Sequence, residues 1–509
     1  MDSRTTNAKR NIIFGVFNKL VSLVLPFLTR TAILYLLGST FLGIGTLFSS
    51  ILSFLSLAEL GFGSAIVYSM YGPIAEGDNK TIGALLLYYK KLYRIIGIII
   101  LTVGTMIVPC VPSLMNGEAP SGLNVYVLYY LYLINSVIGY FFQGYKQSLL
   151  SAYQRTDIIN NIATAANVFV QLVQILTLYF FRNFYLYAIV PVLGTLITNF
   201  INAYIVKQKY PQIKCEGSVD KKIRKGIKNK IFGLLGTKLN SIVVHSVDIM
   251  IISKFLGLTS TAKYGNYYYI MSSVSGLLAV VHGSLIAGIG NKIVSDSLDE
   301  TFCLFKKLSF INYWFVGFCS ICFLCIYEPF LSVWAGDDMT FGLGFAILMS
   351  IYFFIYEIQR TVLTFKDAAG LWNKDKFRPY ISMIVNLVSN IVLVQVIGIY
   401  GIILSTILAF VISLPWANTV LFHNLFHKKS IPNIMSMILQ FIITSIAAVP
   451  TYLLCTLIRI SWGGIIIRLL ICMIVVNMIF LMFNIKNKEF KNVINFILKS
   501  REVKHNEHS

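Results

Sequence analysis

Apolar runs of about 20 residues follow one another along almost the whole chain, separated by short polar or basic connections. A helix rises about 1.5 Å per residue, so a run of about 20 spans roughly 30 Å of hydrocarbon. With no water in the bilayer core, each run must satisfy its own backbone hydrogen bonds, which favours the α-helix. The expected fold is therefore all-α and integral to a membrane. Charge is scarce for the same reason: 12% of the 509 residues are charged and 57% are hydrophobic. A soluble domain carries about 25% charge.

Fourteen spans are read, at about 12–37, 41–68, 95–111, 125–142, 158–181, 184–206, 231–255, 264–286, 308–334, 341–365, 380–396, 401–422, 435–458 and 465–483. The first is too long for the apolar core of a signal peptide and has no small-residue cleavage site, so it reads as a retained span. All but eight of the 42 Lys and Arg fall at the termini or in every second connection. The exceptions are Lys19, Arg30, Arg182, Lys238, Lys254, Lys263, Arg459 and Arg468. Positive charge is retained on the cytoplasmic side, so both termini are expected there and the span count is even. The connections on the other side are short, which argues against an enzyme working through a folded external domain. The net charge of +21 is read as topology and attraction to anionic lipid, with no nucleic-acid partner expected.

A weak internal repeat divides the chain. Ile13-Phe14-Gly15 opens the first span and Ile231-Phe232-Gly233 the seventh; Leu37-Gly38 ends one and Leu256-Gly257 the other. The expected organisation is an N-lobe of six spans (1–206), a basic cytoplasmic linker (207–230) and a C-lobe of six spans (231–424). An extra helix pair (425–484) and a basic cytoplasmic tail (485–509) follow. Two halves around a midplane cavity is a transporter arrangement.

Short motifs recur at particular places: AELGFGSA at 58–65, YGPIA at 71–75, LLSAYQR at 149–155, DIMIISKFLGL at 248–258, AKYGNY at 262–267, WAGD at 334–337, FKDAAGLW at 365–372 and FRP at 377–379. In this order they resemble the Wzx-type polysaccharide and O-antigen flippases. That family shares a superfamily with multidrug and toxin extrusion pumps and lipid II flippases. The resemblance covers about residues 10 to 425. It implies a core of two six-helix lobes, and transport of an oligosaccharide on an undecaprenyl-type polyprenyl diphosphate across the bacterial cytoplasmic membrane. The glycan would serve O-antigen, capsule or exopolysaccharide synthesis. The partners implied are that lipid-linked oligosaccharide, membrane lipids and other polysaccharide-assembly proteins. No cofactor and no catalytic residue is expected, only coupling to a proton or sodium ion.

Such a transporter needs cations at cavity depth to hold a diphosphate. Lys19 and Arg30 are eleven residues apart, about 20° from eclipsed on a helix and about 16 Å along it. Lys238 sits at the matching depth of the seventh span. These three are the candidates for diphosphate binding. The competing reading is that the lysines snorkel to the cytoplasmic edge and that Arg30 pairs with Asp248. Asp248, Glu59 and Glu357 are the coupling-acid candidates; Glu328 precedes Pro329 and reads as the mark of a kink. Pro26, Asp367, Gly370, Asp375 and Arg378 are read as hinge or gate residues, the last four as a turn held by an ion pair.

His245 and His282 read as hydrogen-bonded core residues. Tyr126, Tyr129, Tyr130, Tyr132, Tyr267, Tyr268 and Tyr269 read as an interfacial belt. Cys319, Cys322 and Cys325 form a C-x-x-C-x-x-C run inside an apolar span, where soft packing is expected and neither metal binding nor a disulfide framework. An exporter of organic cations with the same fold is the main alternative function. A membrane-embedded glycan polymerase, ligase or acyltransferase is the third.

Overall fold

A computed structural model describes residues 21–494 apart from Leu60, Glu118 and Ser121, without the side chains of Ala58, Lys222, 228–241 and Val243. Lys19 lies outside the described residues, and Lys238 is described only as part of a helix. Among the described residues the regular structure is entirely helical. The chain divides into two compact units, Met1–Gly265 and Asn266–Ser509.

The first unit holds α1 (Val21–Leu36), α2 (Ser39–Leu55), α3 (Phe62–Glu76), α4 (Asn79–Ile107), α5 (Val125–Phe141), α6 (Gln147–Ala152), α7 (Thr156–Phe181), α8 (Phe184–Lys209) and the first leg of α9 (Lys221–Ser295). The part of α9 from Asn266 onward opens the second unit. It is followed by α10 (Leu298–Ala335), α11 (Leu343–Ile358), α12 (Arg360–Ala368), α13 (Arg378–Ile397), α14 (Ile399–Leu421), α15 (Ile431–Thr456) and α16 (Trp462–Asn484). Among the described residues ten helices are long and apolar enough to cross a membrane, or eleven if the bent segment from Val125 to Ala152 is one span. The chain is a multi-pass α-helical membrane protein.

Helix starts follow local chemistry. Asp78 accepts from the Thr81 N–H at 3.0 Å and opens α4. Its side-chain and backbone bonds to Thr81 hold the Asp78 carboxyl below its ordinary value. Asn124 and Asn183 cap α5 and α8 in the same way, and Ser297 with Glu300 forms a reciprocal capping box on α10. Capping explains why α4 begins at Asn79 whereas hydropathy alone placed that span at 95–111.

The expected span at 41–68 is broken. Helix α2 ends at Leu55, a 3-10 turn covers Ser56–Glu59, and Gly61 at φ +82° turns the chain into α3. Only glycine adopts that backbone without strain, so the run is apolar throughout but not one helix. Helix α9 is interrupted similarly at Gly257, with φ 87° and ψ 176°. Gly38, the counterpart in the proposed repeat, has φ 100° and ψ 171°. At the α9 break α2 comes so close that a Cβ on Gly43 would overlap the Leu258 carbonyl. Gly43→Val is therefore expected to destabilise the first unit by at least about 1–3 kcal/mol, because backbone cannot yield as a side chain does. Thermal unfolding in detergent reads this; an unchanged melting temperature would show that α2 and α9 do not touch there.

Burial runs opposite to that of a soluble protein. On α13 the buried positions include Arg378, Ser382, Asn386 and Asn390, each four residues after the last, while Ile384, Val388, Val392 and Val396 are exposed. The polar stripe faces α14: Asn386 donates to the Thr406 hydroxyl at 3.0 Å. Hydrocarbon solvates the aliphatic face, and the polar groups find partners inside. The tyrosines do not form a simple belt. Tyr126 is 45% exposed, but Tyr129 and Tyr267 are fully buried. Tyr129 donates to the Gly104 carbonyl at 3.1 Å, because a phenol with an interior acceptor is better buried than wet.

Helices α15 and α16 belong to the second unit and pack on α10 through Ile321, Ile443, Ala447, Val476 and Phe480. A Cβ on Gly317 of α10 would sit 2.8 Å from both Phe480 and the Thr444 hydroxyl, so the bare glycine permits the approach.

Candidate functional site: a polar cavity in the first unit

A cavity of about 670 Å³ lies within the first unit, walled by α1, α2, α5, α7, α8 and α9. That is within the ordinary size of a ligand pocket, about 300–1,000 Å³. Helix α2 supplies its floor. Thr46, Ser49, Ser50 and Ser53 line the cavity at the i, i+3, i+4, i+7 spacing of one helix face, and Ser56 of the following turn lines it too. Thr46 and Ser53 donate to the carbonyls of Leu42 and Ser49, each at 2.8 Å. These bonds satisfy the donors within the helix and leave hydroxyl lone pairs for the cavity.

Amides and phenols supply other parts of the lining: Asn135 on α5, Asn167, Gln171 and Gln174 on α7, Tyr132 on α5 and Tyr187 on α8. They also tie the helices together. Gln174 donates to the Tyr187 carbonyl at 3.1 Å, and the Thr195 hydroxyl to Asn135 Oδ1 at 3.1 Å. Thr29, beside Arg30, bonds to Gln171.

Arg30 on α1 lines this cavity and is half-buried. A Cβ on Gly265 would come within 3.0 Å of its guanidinium, so Gly265 leaves it room. Among the described lining residues Arg30 is the only permanently charged one, and none is a carboxylate. His245 on α9 also lines the cavity; Asp248, three residues on, is buried and does not. Pro26 lies within α1, one turn before Arg30.

Glu59 lies in the 3-10 turn after α2. Its carboxylate accepts from Tyr93 at 2.7 Å and from Tyr140, and the Tyr93 ring lies 4.4 Å from Tyr89. Among the described residues no cation pairs with it. Glu357 differs: it is fully buried at the end of α11 and held by Arg360, with Oε1 at 2.5 Å from Nη2. Around that pair, Asn312 bonds to the Glu357 carbonyl at 3.0 Å, and His282 bridges Asn312 and Thr364 at 3.1 and 3.0 Å. The Asn312 bond satisfies the Glu357 carbonyl, freed where α11 gives way to α12. Glu328 accepts from Tyr267 and from the Gly342 N–H at 3.2 Å, joining α9, α10 and the start of α11.

The hinge candidates of the second unit come together around Asp375. Its carboxylate meets Lys366 at 2.5 Å and Arg378 at 2.8 Å, and Arg378 reaches on to the Ser413 hydroxyl at 2.8 Å. Gly370 turns the chain at φ +67°, and Asp367 accepts from the Trp372 indole at 3.1 Å. Lys366 was not among the sequence candidates. Nor was the hydroxyl stripe of α2, although its spacing is visible in the sequence once serine in a span is treated as a signal.

No protein-family model and no curated protein matches the sequence. Solved structures do. The lipid II flippase MurJ, in an inward closed conformation, aligns with a TM-score of 0.67 at 15% identity, over 93% of this chain and 99% of that one. An inward-facing multidrug resistance MATE family transporter of the MOP superfamily gives 0.56 at 15%, over 78% and 94%. A MATE transporter of Vibrio cholerae gives 0.52 at 15%, over 81% and 95%. Identities this low speak for the backbone alone. The chain has the fold shared by MurJ and the MATE transporters of the MOP superfamily.

Proposed function

We propose that this protein is a flippase that carries a polyprenyl-diphosphate-linked oligosaccharide from the inner to the outer leaflet of the bacterial cytoplasmic membrane by alternating access. It would be built of fourteen spans with both termini cytoplasmic. The ten long helices, the bent segment, α1, α2 and the Gly257 break that divides α9 are consistent with that number. The observation that carries the reading is the cavity chemistry: hydroxyls, amides and phenols suited to sugars, one guanidinium suited to phosphate, and no carboxylate among the described lining residues. An exporter of organic cations would want the opposite polarity. The MurJ-like fold supports a lipid-linked substrate, and the sequence motifs support a polysaccharide precursor.

Arg30 would hold the diphosphate, joined by Lys19 and Lys238 at the cytoplasmic side. Of the coupling candidates, Glu59 suits the role best, because Glu357 already has its counter-charge in Arg360. Protonation of Glu59 would trade two accepted phenol bonds for a neutral carboxyl, a change that biases helix packing. Glu59→Gln is expected to keep folding and binding but to abolish the response of transport to an imposed ion gradient. Gradient-dependent transport in that variant would remove Glu59 from coupling. Asp367, Gly370, Asp375 and Arg378 would form the inner gate.

The function is tested by finding where lipid-linked glycan accumulates when the gene is deleted from its native host. Completed repeat units on the inner leaflet are expected. Single units reaching the outside would indicate a polymerase instead.

A further inference from the structure

Three cysteines from three helices meet in the second unit. The Sγ atoms of Cys325 on α10, Cys455 on α15 and Cys472 on α16 all lie within 4.8 Å of one another, and all three residues are buried. Cys322, one turn before Cys325, lies outside this group. Cys319, on the same run, belongs to no such group among the described residues. In a tetrahedral thiolate site with bonds of about 2.3 Å, sulfurs stand about 3.8 Å apart. The spacing needs little adjustment to close around one ion.

A second observation concerns charge. Arg468 lies four residues before Cys472 on the same buried face of α16 and is 5% exposed. It donates to the Cys325 carbonyl at 3.3 Å and to the Ile458 carbonyl at 2.7 Å, and its own carbonyl is 3.8 Å from Cys455 Sγ. Its Nε–H has no acceptor, and no carboxylate pairs with it among the described residues. A cation buried at span depth ordinarily has an anionic partner or a wet cavity. The groups beside it able to become anionic are the thiols.

We propose that Cys325, Cys455 and Cys472 bind a thiophilic divalent cation of the zinc class as thiolates, with Arg468 balancing the charge. Three thiols lose three protons to solvent on binding. The three thiolates and the divalent ion then sum to a single negative charge, which the guanidinium cancels. A neutral assembly is what a hydrocarbon environment tolerates. The ion clips α15 and α16 to α10 and so fixes the extra helix pair to the second unit. The three residues are buried on three different helices, so the role of the site is structural.

The test uses the full-length protein purified in mild detergent without chelator. Zinc analysis is expected to give about one ion per chain in the wild type and in Cys319→Ser. The double variant Cys455→Ser/Cys472→Ser is expected to carry none. Replacing zinc by cobalt should produce thiolate-to-metal charge-transfer absorption in the first two proteins and not in the third. If the double variant does not fold, the wild type decides alone. Its cluster thiols should resist a small maleimide until a membrane-permeant chelator is added, and chelation should lower its melting temperature. Wild type without zinc, with thiols alkylated equally with and without chelator, overturns the proposal. So does an intact mass lower by two hydrogens, which would mean a disulfide.

Discussion

Arg30→Ala is expected to reduce transport of a lipid diphosphate by roughly 10- to 100-fold at subsaturating substrate, the equivalent of about 1.5–3 kcal/mol for a hydrogen bond to a charged group. The guanidinium is the only permanently charged described side chain of a cavity otherwise lined by hydroxyls, amides and phenols. Arg30→Lys should retain part of the activity, because it keeps the charge but loses the planar fork that binds two phosphate oxygens. The comparison must be made at matched expression. Arg30 is half-buried and bordered by Gly265, so stability is measured alongside. Equal transport by wild type and Arg30→Ala would place the diphosphate elsewhere.

The largest effect on stability is expected from Asp375→Asn. Asp375 and Lys366 are each 2% exposed and Arg378 is 8% exposed, so one carboxylate answers two buried cations. Removing its charge leaves both without a buried counter-charge, a loss of about 3–5 kcal/mol. Asp367→Asn is the control. Its side chain is 40% exposed and its oxygen lies 3.7 Å from Lys366, so solvent screens the pair and the cost stays below about 1 kcal/mol. Melting curves of the two variants in detergent check this. Similar shifts would mean that the Asp375 carboxylate does not hold the segment joining α12 and α13.

Much of the helical layout could be read from apolar runs alone. The segments expected at 125–142 and 158–181 are helices Val125–Phe141 and Thr156–Phe181. Hydropathy reports whether a stretch can enter lipid, not whether it is one helix. For that reason the 41–68 run concealed the turn at Gly61, and the 95–111 run concealed the capped first turns of α4. The site was legible in part. Arg30 stood out because a charge inside a span is costly. The α2 hydroxyls did not, since Ser and Thr are common packing residues of membrane helices. Partnerships across helices were out of reach altogether. Lys366 meets Asp375 around a turn, Glu59 meets Tyr93 and Tyr140 on two later helices, and Cys325 meets Cys455 and Cys472 from more than a hundred residues away. Spacing along one segment carries no information about such contacts.

Flipping of a defined polyprenyl-diphosphate oligosaccharide in reconstituted vesicles tests the central claim most directly. Wild-type protein is expected to move the lipid-linked sugar between leaflets well above the rate in protein-free vesicles, and Arg30→Ala to lose most of that gain. A wild-type rate no faster than empty vesicles, together with uptake of an organic cation that Arg30→Ala leaves unchanged, would contradict the assignment.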